Sequence, residues 1–158
     1  MTNKELICDT LRRMGKTIAQ SVQEKSEALT GTELNAESEY IPDFKAACAK
    51  MNMLERKAGQ TDGFVCKSSA GRVVRLIQSY DSTVYLHEDG TPWEPEELPA
   101  QWRFVWSTDP AHALPFVAIS TSPFMKGNCC MDDGEIYRST IDNNVWKPSE
   151  YPDGWEAV

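Results

Sequence analysis

The sequence lacks the residues that most catalytic and metal sites need. It has two histidines in 158 residues, His87 and His112, and neither belongs to a His-x-x-x-His ligand spacing. It contains no glycine-rich phosphate loop and no Gly-x-Ser-x-Gly nucleophile elbow. The acidic run Glu94, Glu96 and Glu97 is more typical of a solvated loop than of a glycosidase pair. We therefore expect a protein that is not an enzyme and that uses no cofactor or metal.

Basic charge and long apolar runs are also scarce. The chain has 16 Lys and Arg against 24 Asp and Glu, a net charge of -8, and no basic cluster. This balance argues against nucleic acid or an anionic membrane as a partner. The longest apolar stretch, Ala113 to Ile119, is too short to span a bilayer, so we expect no membrane insertion. The N-terminus has no apolar signal core, which predicts synthesis in the cytoplasm without a classical signal peptide.

A line rich in tryptophan and proline occurs twice. It reads Trp-x-Pro-x-Glu-(Leu/Tyr)-Pro-x-x-Trp-x-x-Val, from Trp93 to Val105 and from Trp146 to Val158. A strand signal that begins with glycine and ends with arginine precedes each copy, at 71–75 and 134–138. The first copy carries ten extra residues between its arginine and its tryptophan. This pattern indicates two tandem copies of one small β module.

The first part of the chain predicts helices instead. An amphipathic helix is expected over residues 3–29, and a second helix is expected from Pro42 to a stop at Gly59. The apolar stripe of the first helix consists of Ile7, Leu11, Met14, Ile18 and Val22. That of the second consists of Phe44, Ala47, Cys48, Met51 and Leu54. Such a hairpin buries little surface by itself, which favours a homo-oligomer or docking on a larger assembly.

The predicted fold class is therefore α+β, with an N-terminal helical hairpin followed by two small antiparallel β modules. Residues 1–59 form the helical oligomerisation or docking segment. The first module covers 60–107, a linker with a connecting strand covers 108–123, and the second module covers 124–158.

The five cysteines fit no zinc-ligand spacing, and we expect buried free thiols. Cys129 and Cys130 are adjacent, and a bridge between neighbours would strain the peptide. A bridge from Cys66 to Cys129 would require the matching faces of the two modules to meet.

Position within the line predicts two roles for its tryptophans. Prolines two and six residues after the first Trp fix the backbone, so Trp93 and Trp146 are expected to be exposed on a stiff support. An indole held in this way can stack on the apolar face of a sugar ring at little entropic cost. Trp102 and Trp155 are expected to fill the small cores of their modules.

The second copy resembles a known family. Gly127-Asn128-x-Cys130, Gly134-x-Ile136-Tyr137 and the closing line Asn143-Asn144-x-Trp146-x-Pro148-x-x-x-Pro152-x-x-Trp155 are similar to the chitin- and cellulose-binding modules of carbohydrate-binding families 5 and 12. The line from Trp93 to Trp102 is similar to the closing line of bacterial chitinase chitin-binding domains.

The resemblance implies that the first Trp of each line stacks on a ligand and the last is core. It implies carbohydrate contacts for a set of residues in the two copies: Trp146, Tyr137, Pro148, Trp93, Glu94 and Pro95. The first copy has Val74 where the second has Tyr137, so the C-terminal copy is the more family-like.

Two functional hypotheses follow. In the first, the chain is a non-catalytic carbohydrate-binding protein of a phage or prophage virion or tail. It would attach to a chitin-like or cell-surface polysaccharide, since these modules also occur in phage tail and fibre proteins; its place would be the virion or the cell surface. In the second, the modules are purely structural and mediate protein–protein contacts in an assembly or decoration protein.

Overall fold

The computed structural model describes residues 2–50, 53–54 and 64–158, and it confirms the α+β class. A long N-terminal helix is followed by two small three-stranded antiparallel sheets. The helices are α1 (Asn3–Lys25), α2 (Gly31–Ala36) and α3 (Phe44–Lys50). The strands are β1 (Met53–Leu54), β2 (Val65–Lys67), β3 (Val73–Leu76), β4 (Tyr80–Asp81), β5 (Trp102–Phe104), β6 (Cys129–Asp132), β7 (Glu135–Ser139) and β8 (Trp155–Ala157).

Capping boxes begin the first two helices. Thr2 accepts a hydrogen bond from the backbone N of Glu5, and the Glu5 carboxylate accepts one from the backbone N of Thr2 at 2.6 Å. Thr30 and Glu33 repeat this exchange at the start of α2. Each box satisfies helix N–H groups that would otherwise have no partner. No helix among the described residues is long and apolar enough to cross a bilayer.

The helix predicted from Pro42 corresponds to α3, which packs on the first sheet. Its Phe44, Ala47 and Cys48 belong to the buried cluster that also contains Tyr80 and Trp102. These residues lie on one face, as their spacing predicted, but the sheet provides the apolar surface that they cover. The side chains of Met51 and Leu54, which the same stripe includes, and the predicted stop at Gly59 lie outside the described residues.

The two sheets repeat one strand register, which shows that the sequence repeat is a structural repeat. Their strand orders are β2-β3-β5 and β6-β7-β8. The pairs Val74–Phe104 and Leu76–Trp102 in the first sheet match Tyr137–Ala157 and Ser139–Trp155 in the second. The closing tryptophan therefore enters its sheet at the same place in both modules.

The repeat extends further in space than the sequence indicated. A parallel bridge joins Asp43 to Lys67 in the first module, and another joins Pro115 to Met131 in the second. The residue after each bridge is a phenylalanine whose ring meets the core tryptophan edge to face. Phe44 lies 5.8 Å from Trp102 at 89°, and Phe116 lies 6.1 Å from Trp155 at 88° between centroids and planes. Each module thus includes a short segment that precedes its predicted first residue.

The structural repeat matches Cys66 with Cys130, one residue after Cys129, which is the match by sequence spacing from the glycine of each strand signal. Cys66 pairs with Val74, and the residue opposite Tyr137 is Cys130. Cys130 is therefore the spatial counterpart of Cys66, because the second module turns tightly through Asp133 (φ 49°) and Gly134 (φ 84°).

All five cysteines are free thiols, so the Cys66–Cys129 bridge is not formed. Cys8 is exposed and the other four are buried. Burial raises the pKa of Cys48 to about 11 and that of Cys130 to about 12, which keeps these thiols protonated.

The modules pack against each other through Trp106. Its ring stacks on Phe124 with centroids 4.2 Å apart, and its Nε1 donates a 2.8 Å hydrogen bond to the Ser122 carbonyl. Trp106 also packs on the buried clusters of both modules. Arg72 of the first module donates to the Pro115 carbonyl at 2.6 Å. These contacts join the two modules, and with them the loops that carry Trp93 and Trp146, into one packed unit.

Candidate functional site

The structure divides the tryptophans of each repeat as predicted. Trp146 is 51% exposed and Trp93 is 37% exposed, whereas Trp102 and Trp155 are buried. An exposed ring marks a candidate contact surface where it adjoins further exposed apolar surface.

The most exposed aromatic pair consists of Trp146 and Tyr151. Their ring centroids are 5.6 Å apart with an interplanar angle of 59°, and Tyr151 is 40% exposed. The two rings form a bent surface, which we call the aromatic pair. Such a surface offers two apolar faces in different directions.

Buried polar groups hold the backbone at Trp146. The indole Nε1 of Trp155 donates a hydrogen bond to the Trp146 carbonyl at 2.9 Å. The fully buried Asn144 accepts from the Trp146 backbone N at 3.3 Å, and its Nδ2 donates to Ser139 Oγ and to the Gly154 carbonyl, both at 3.0 Å. Because these partners are buried, the position of Trp146 is set before any ligand arrives.

Tyr151 rests on a glycine. A Cβ at Gly154 would lie 2.7 Å from Tyr151 Cδ1 and 2.8 Å from Cε1. Residue 154 must therefore lack a side chain if the ring is to keep this place. The first module has Leu98 and Gln101 at the matching positions, and Leu98 is buried.

A buried carboxylate fixes the loop between the two rings. Asp132 accepts hydrogen bonds from Lys147 Nζ at 3.1 Å and from the Ser149 backbone N at 3.0 Å. Burial alone raises the pKa of Asp132, but these hydrogen bonds outweigh it and lower the pKa below its ordinary 3.8. The hydrogen bond to Asp132 correspondingly raises the pKa of Lys147. The loop thus carries an ion pair that is charged on both sides at neutral pH.

Two other residues expected to contact carbohydrate are engaged within the module. Pro148 lies in the loop but is buried, so it has little surface for a ligand. Tyr137 packs against the cluster of Phe124, Cys130 and Trp155, and its hydroxyl donates to Glu135 at 3.1 Å. The ring that packs on Trp146 belongs to Tyr151.

The first module pairs its exposed tryptophan with a histidine. The rings of Trp93 and His87 have centroids 5.7 Å apart at 35°. His87 Nε2 lies 3.0 Å from Glu97 Oε2, and the same oxygen accepts from the backbone N of Glu94 at 2.7 Å. His87 belongs to the turn that the ten extra residues of this module form. The exposed tryptophan of the repeat therefore packs on a histidine in the first module and on a tyrosine in the second.

Glu94 and Pro95 are occupied in structural contacts. The Glu94 carboxylate accepts hydrogen bonds from the backbone N of Ser69 at 3.1 Å and from the Ser69 hydroxyl, and it lies 3.9 Å from Lys45 Nζ. Pro95 is almost completely buried. Both residues therefore hold the loop that carries Trp93.

Known proteins provide no guide to this site. No protein family model, curated protein or solved structure matches the chain. The assignment of the site therefore depends on its geometry and on the residues named above.

The sequence pattern missed three residues that shape the site, Tyr151, Asn144 and Asp132. Tyr151 had a signal, because it stands between the two prolines of the line where the first copy has Leu98. Asn144 belongs to the Asn143-Asn144-x-Trp146 motif of the resemblance, but the motif does not show that its side chain is buried. Asp132 had no signal, since its importance arises from burial and from partners distant in sequence. The described residues contain no group of three or more His, Cys, Asp or Glu suited to a metal ion.

Proposed function

We propose that the chain is a non-catalytic carbohydrate-binding protein whose principal site is the aromatic pair of the C-terminal module. The observation that carries this proposal is the exposure of Trp146 and Tyr151 on a loop held by buried hydrogen bonds. Trp93 with His87 is the candidate second site.

Aromatic rings suit sugars because the axial C–H groups of a pyranose form an apolar face that stacks on a π system. The loop is fixed beforehand, so binding costs little conformational entropy. The interplanar angle of 59° prevents both rings from lying under one flat sugar ring. The pair therefore fits two neighbouring residues of a polysaccharide chain.

Polar groups border the aromatic pair. Lys147 follows Trp146 directly and is held by Asp132, while the Tyr151 ring carries a hydroxyl. Hydrogen bonds from such groups to sugar hydroxyls would orient the polymer along the loop. The proposed ligand is a neutral chitin-like or cell-surface polysaccharide.

A single small site of this kind binds weakly, and several copies on one particle would strengthen attachment through multivalency. Modules of the resembled families also occur in phage tail and fibre proteins, which extends the proposal to a virion or tail component. This part of the proposal depends on the resemblance alone.

The decisive experiment is a pull-down on insoluble chitin, cellulose and host cell-wall polysaccharide. Trp146→Ala should stay folded and be released from the polymer, whereas Trp155→Ala should unfold its module. Trp93→Ala, the same change at the candidate second site, should lower binding less than Trp146→Ala does, because Trp93 is less exposed. Full retention by both Trp146→Ala and Trp93→Ala would refute the proposal and favour the structural hypothesis.

A further inference from the structure

Most of α1 projects from the body of the protein. Every residue from Thr2 to Ile18 is exposed except Asp9, which is half-buried. Contact with the body begins near the end of the helix, where Val22 is buried and Gln23 bonds to the backbone of Val65. A helix of this length gains little stability in water without a packed face. The projecting part therefore presents a face that needs a partner.

The exposed face has the spacing of a coiled-coil seam. Ile7, Leu11, Met14 and Ile18 follow one another at intervals of four, three and four residues. Positions that flank such a seam are small and uncharged here, including Thr10, Gly15 and Thr17. The absence of charge beside the seam allows close approach of a second helix.

The seam continues into a groove at the base of α1. This groove, of about 490 Å³, is lined by Ile18 and Val22 on the helix and by Leu29 and Ala36 on the following segment. Lys25, Glu33 and Glu37 also line it, so its border carries two carboxylates and one ammonium group. A border with this net negative charge suits the positive N-terminal end of a helix dipole. The first turn of α1 provides such an end, with Lys4 beside Glu5.

We propose that α1 pairs antiparallel with α1 of a second copy of this chain, and that the first turn of each helix occupies the groove of the other. In this arrangement Leu11 faces Met14 of the second copy, and Ile7 faces Ile18. Lys4 then lies beside Ser21 and Glu24 of the second copy and close to its groove. This inference does not depend on carbohydrate binding.

Electrostatics and space both favour the antiparallel arrangement. A parallel pair would bring Lys4 against Lys4 and Lys25 against Lys25 of the second copy. The antiparallel pair instead brings Lys4 to a groove in which Lys25 is accompanied by Glu33 and Glu37. It would also place the two bodies beside the same segment of the pair, because each body is attached at residues 22–26. The antiparallel pair separates the bodies and aligns the helix dipoles favourably.

Sedimentation and light scattering of the full chain test the association. The protein should have twice the chain mass of 17.8 kDa. Leu11→Gln combined with Met14→Gln should reduce the mass to that of one chain, and Leu6→Gln, an exposed leucine of the same helix away from the seam, should leave the dimer intact.

Glutamine has a helix propensity close to those of leucine and methionine, so the variant does not remove the helix by propensity. All five tryptophans lie in the β modules, and the near-ultraviolet circular dichroism should stay unchanged if those modules remain folded. A wild-type mass of one chain at every concentration up to about 1 mM would overturn the proposal.

Spin labels test the direction of the pair. Asn3→Cys in a Cys8→Ser background keeps Lys4 and places a label on the only exposed cysteine among those that the structure describes. Labels at residue 3 should be separated by about 28 Å along an antiparallel pair, from the rise of 1.5 Å per residue. A separation near the interaxial distance of about 10 Å would show a parallel pair and overturn the assignment.

Discussion

The Nε1 of Trp155 donates a hydrogen bond to the Trp146 carbonyl, whereas the Nε1 of Trp102 has no hydrogen-bond partner among the described residues. The two core tryptophans occupy one position of the repeat, yet only the second one holds the exposed tryptophan of its own line. In the first module Tyr80 takes this role, since its hydroxyl donates to the Trp93 carbonyl at 3.0 Å. Similar loops are therefore anchored by different residues.

This difference predicts that Trp155→Phe disturbs the binding loop more than Trp102→Phe does. Both changes remove part of a buried indole, but only the first removes a hydrogen bond, which is worth about 1 kcal/mol. Trp155→Phe should broaden or shift the NMR signal of Trp146 and lower polymer retention. Trp102→Phe should leave both readouts of the second module unchanged; equal effects would show that the hydrogen bond does not position Trp146.

Tyr151→Leu should weaken polysaccharide binding and leave the stability of the module almost unchanged. The substitution installs the residue of the first copy and removes a half-exposed ring from the aromatic pair. The expected loss in affinity is about 5–10-fold, which corresponds to roughly 1 kcal/mol for an aromatic contact. Depletion isotherms on insoluble polymer measure it. Tyr151→Phe keeps the ring and should retain most affinity, so an equal loss would point to the hydroxyl.

Gly31→Ala should destabilise the protein by about 2–3 kcal/mol, within the range for overpacking. The new Cβ would overlap the carbonyl oxygen of Trp106, a backbone atom that cannot rotate away. Urea unfolding measures the change. Gly15→Ala is the matched control, because a Cβ there meets no atom within 4 Å. It should stabilise α1 by about 0.5–1 kcal/mol. An unchanged free energy of unfolding in Gly31→Ala would contradict the close contact between α2 and the Trp106 backbone.

The loop of the aromatic pair should lose stability in acid. The pKa of Asp132 is lower in the folded protein than its ordinary 3.8, so its ionised form favours folding. This contribution is fully present above pH 3.8 and is lost as the pH falls through the lower folded pKa.

Asp132→Asn should therefore lower the free energy of unfolding by about 1–3 kcal/mol near neutral pH. The difference between the variant and the wild type should shrink as the pH falls below 3.8, because the wild-type carboxyl then becomes protonated as the pH passes its lower folded pKa. Urea denaturation of both proteins, near neutral pH and across an acidic series, measures this. A difference that is independent of pH would exclude the charge of Asp132 as the cause.

The sequence predicted part of the candidate site. The spacing of Trp146 and Trp155 predicted one exposed and one buried indole, because two prolines between them fix an extended loop. The same spacing could not show that Tyr151 would lie on Gly154, since that contact depends on how the loop folds back on itself. Pro148 and Pro95 were expected to contact ligand, but burial leaves them as supports.

For the helices too, the sequence predicted the local structure and the tertiary structure decided the packing. The periodicity of residues 7–22 determined an amphipathic helix by itself, because helix geometry is local and capping by Thr2 needs only Glu5. The stripe of Phe44, Ala47 and Cys48 likewise determined a buried face. Only the tertiary structure decided that this face covers the first sheet, as the identity of the opposing surface depends on contacts far apart in sequence.

By itself the sequence determined the repeated module, its register-setting tryptophans and the α+β class, all of which follow from patterns within about a dozen residues of chain. The tertiary structure decided which segments complete each module, how Trp106 joins the two, and which ring accompanies Trp146. The physical reason is that burial and hydrogen-bond partners depend on the packing of distant segments. Asn144 shows this most clearly, since its sequence motif does not reveal that its side chain is the fully buried anchor of the exposed tryptophan.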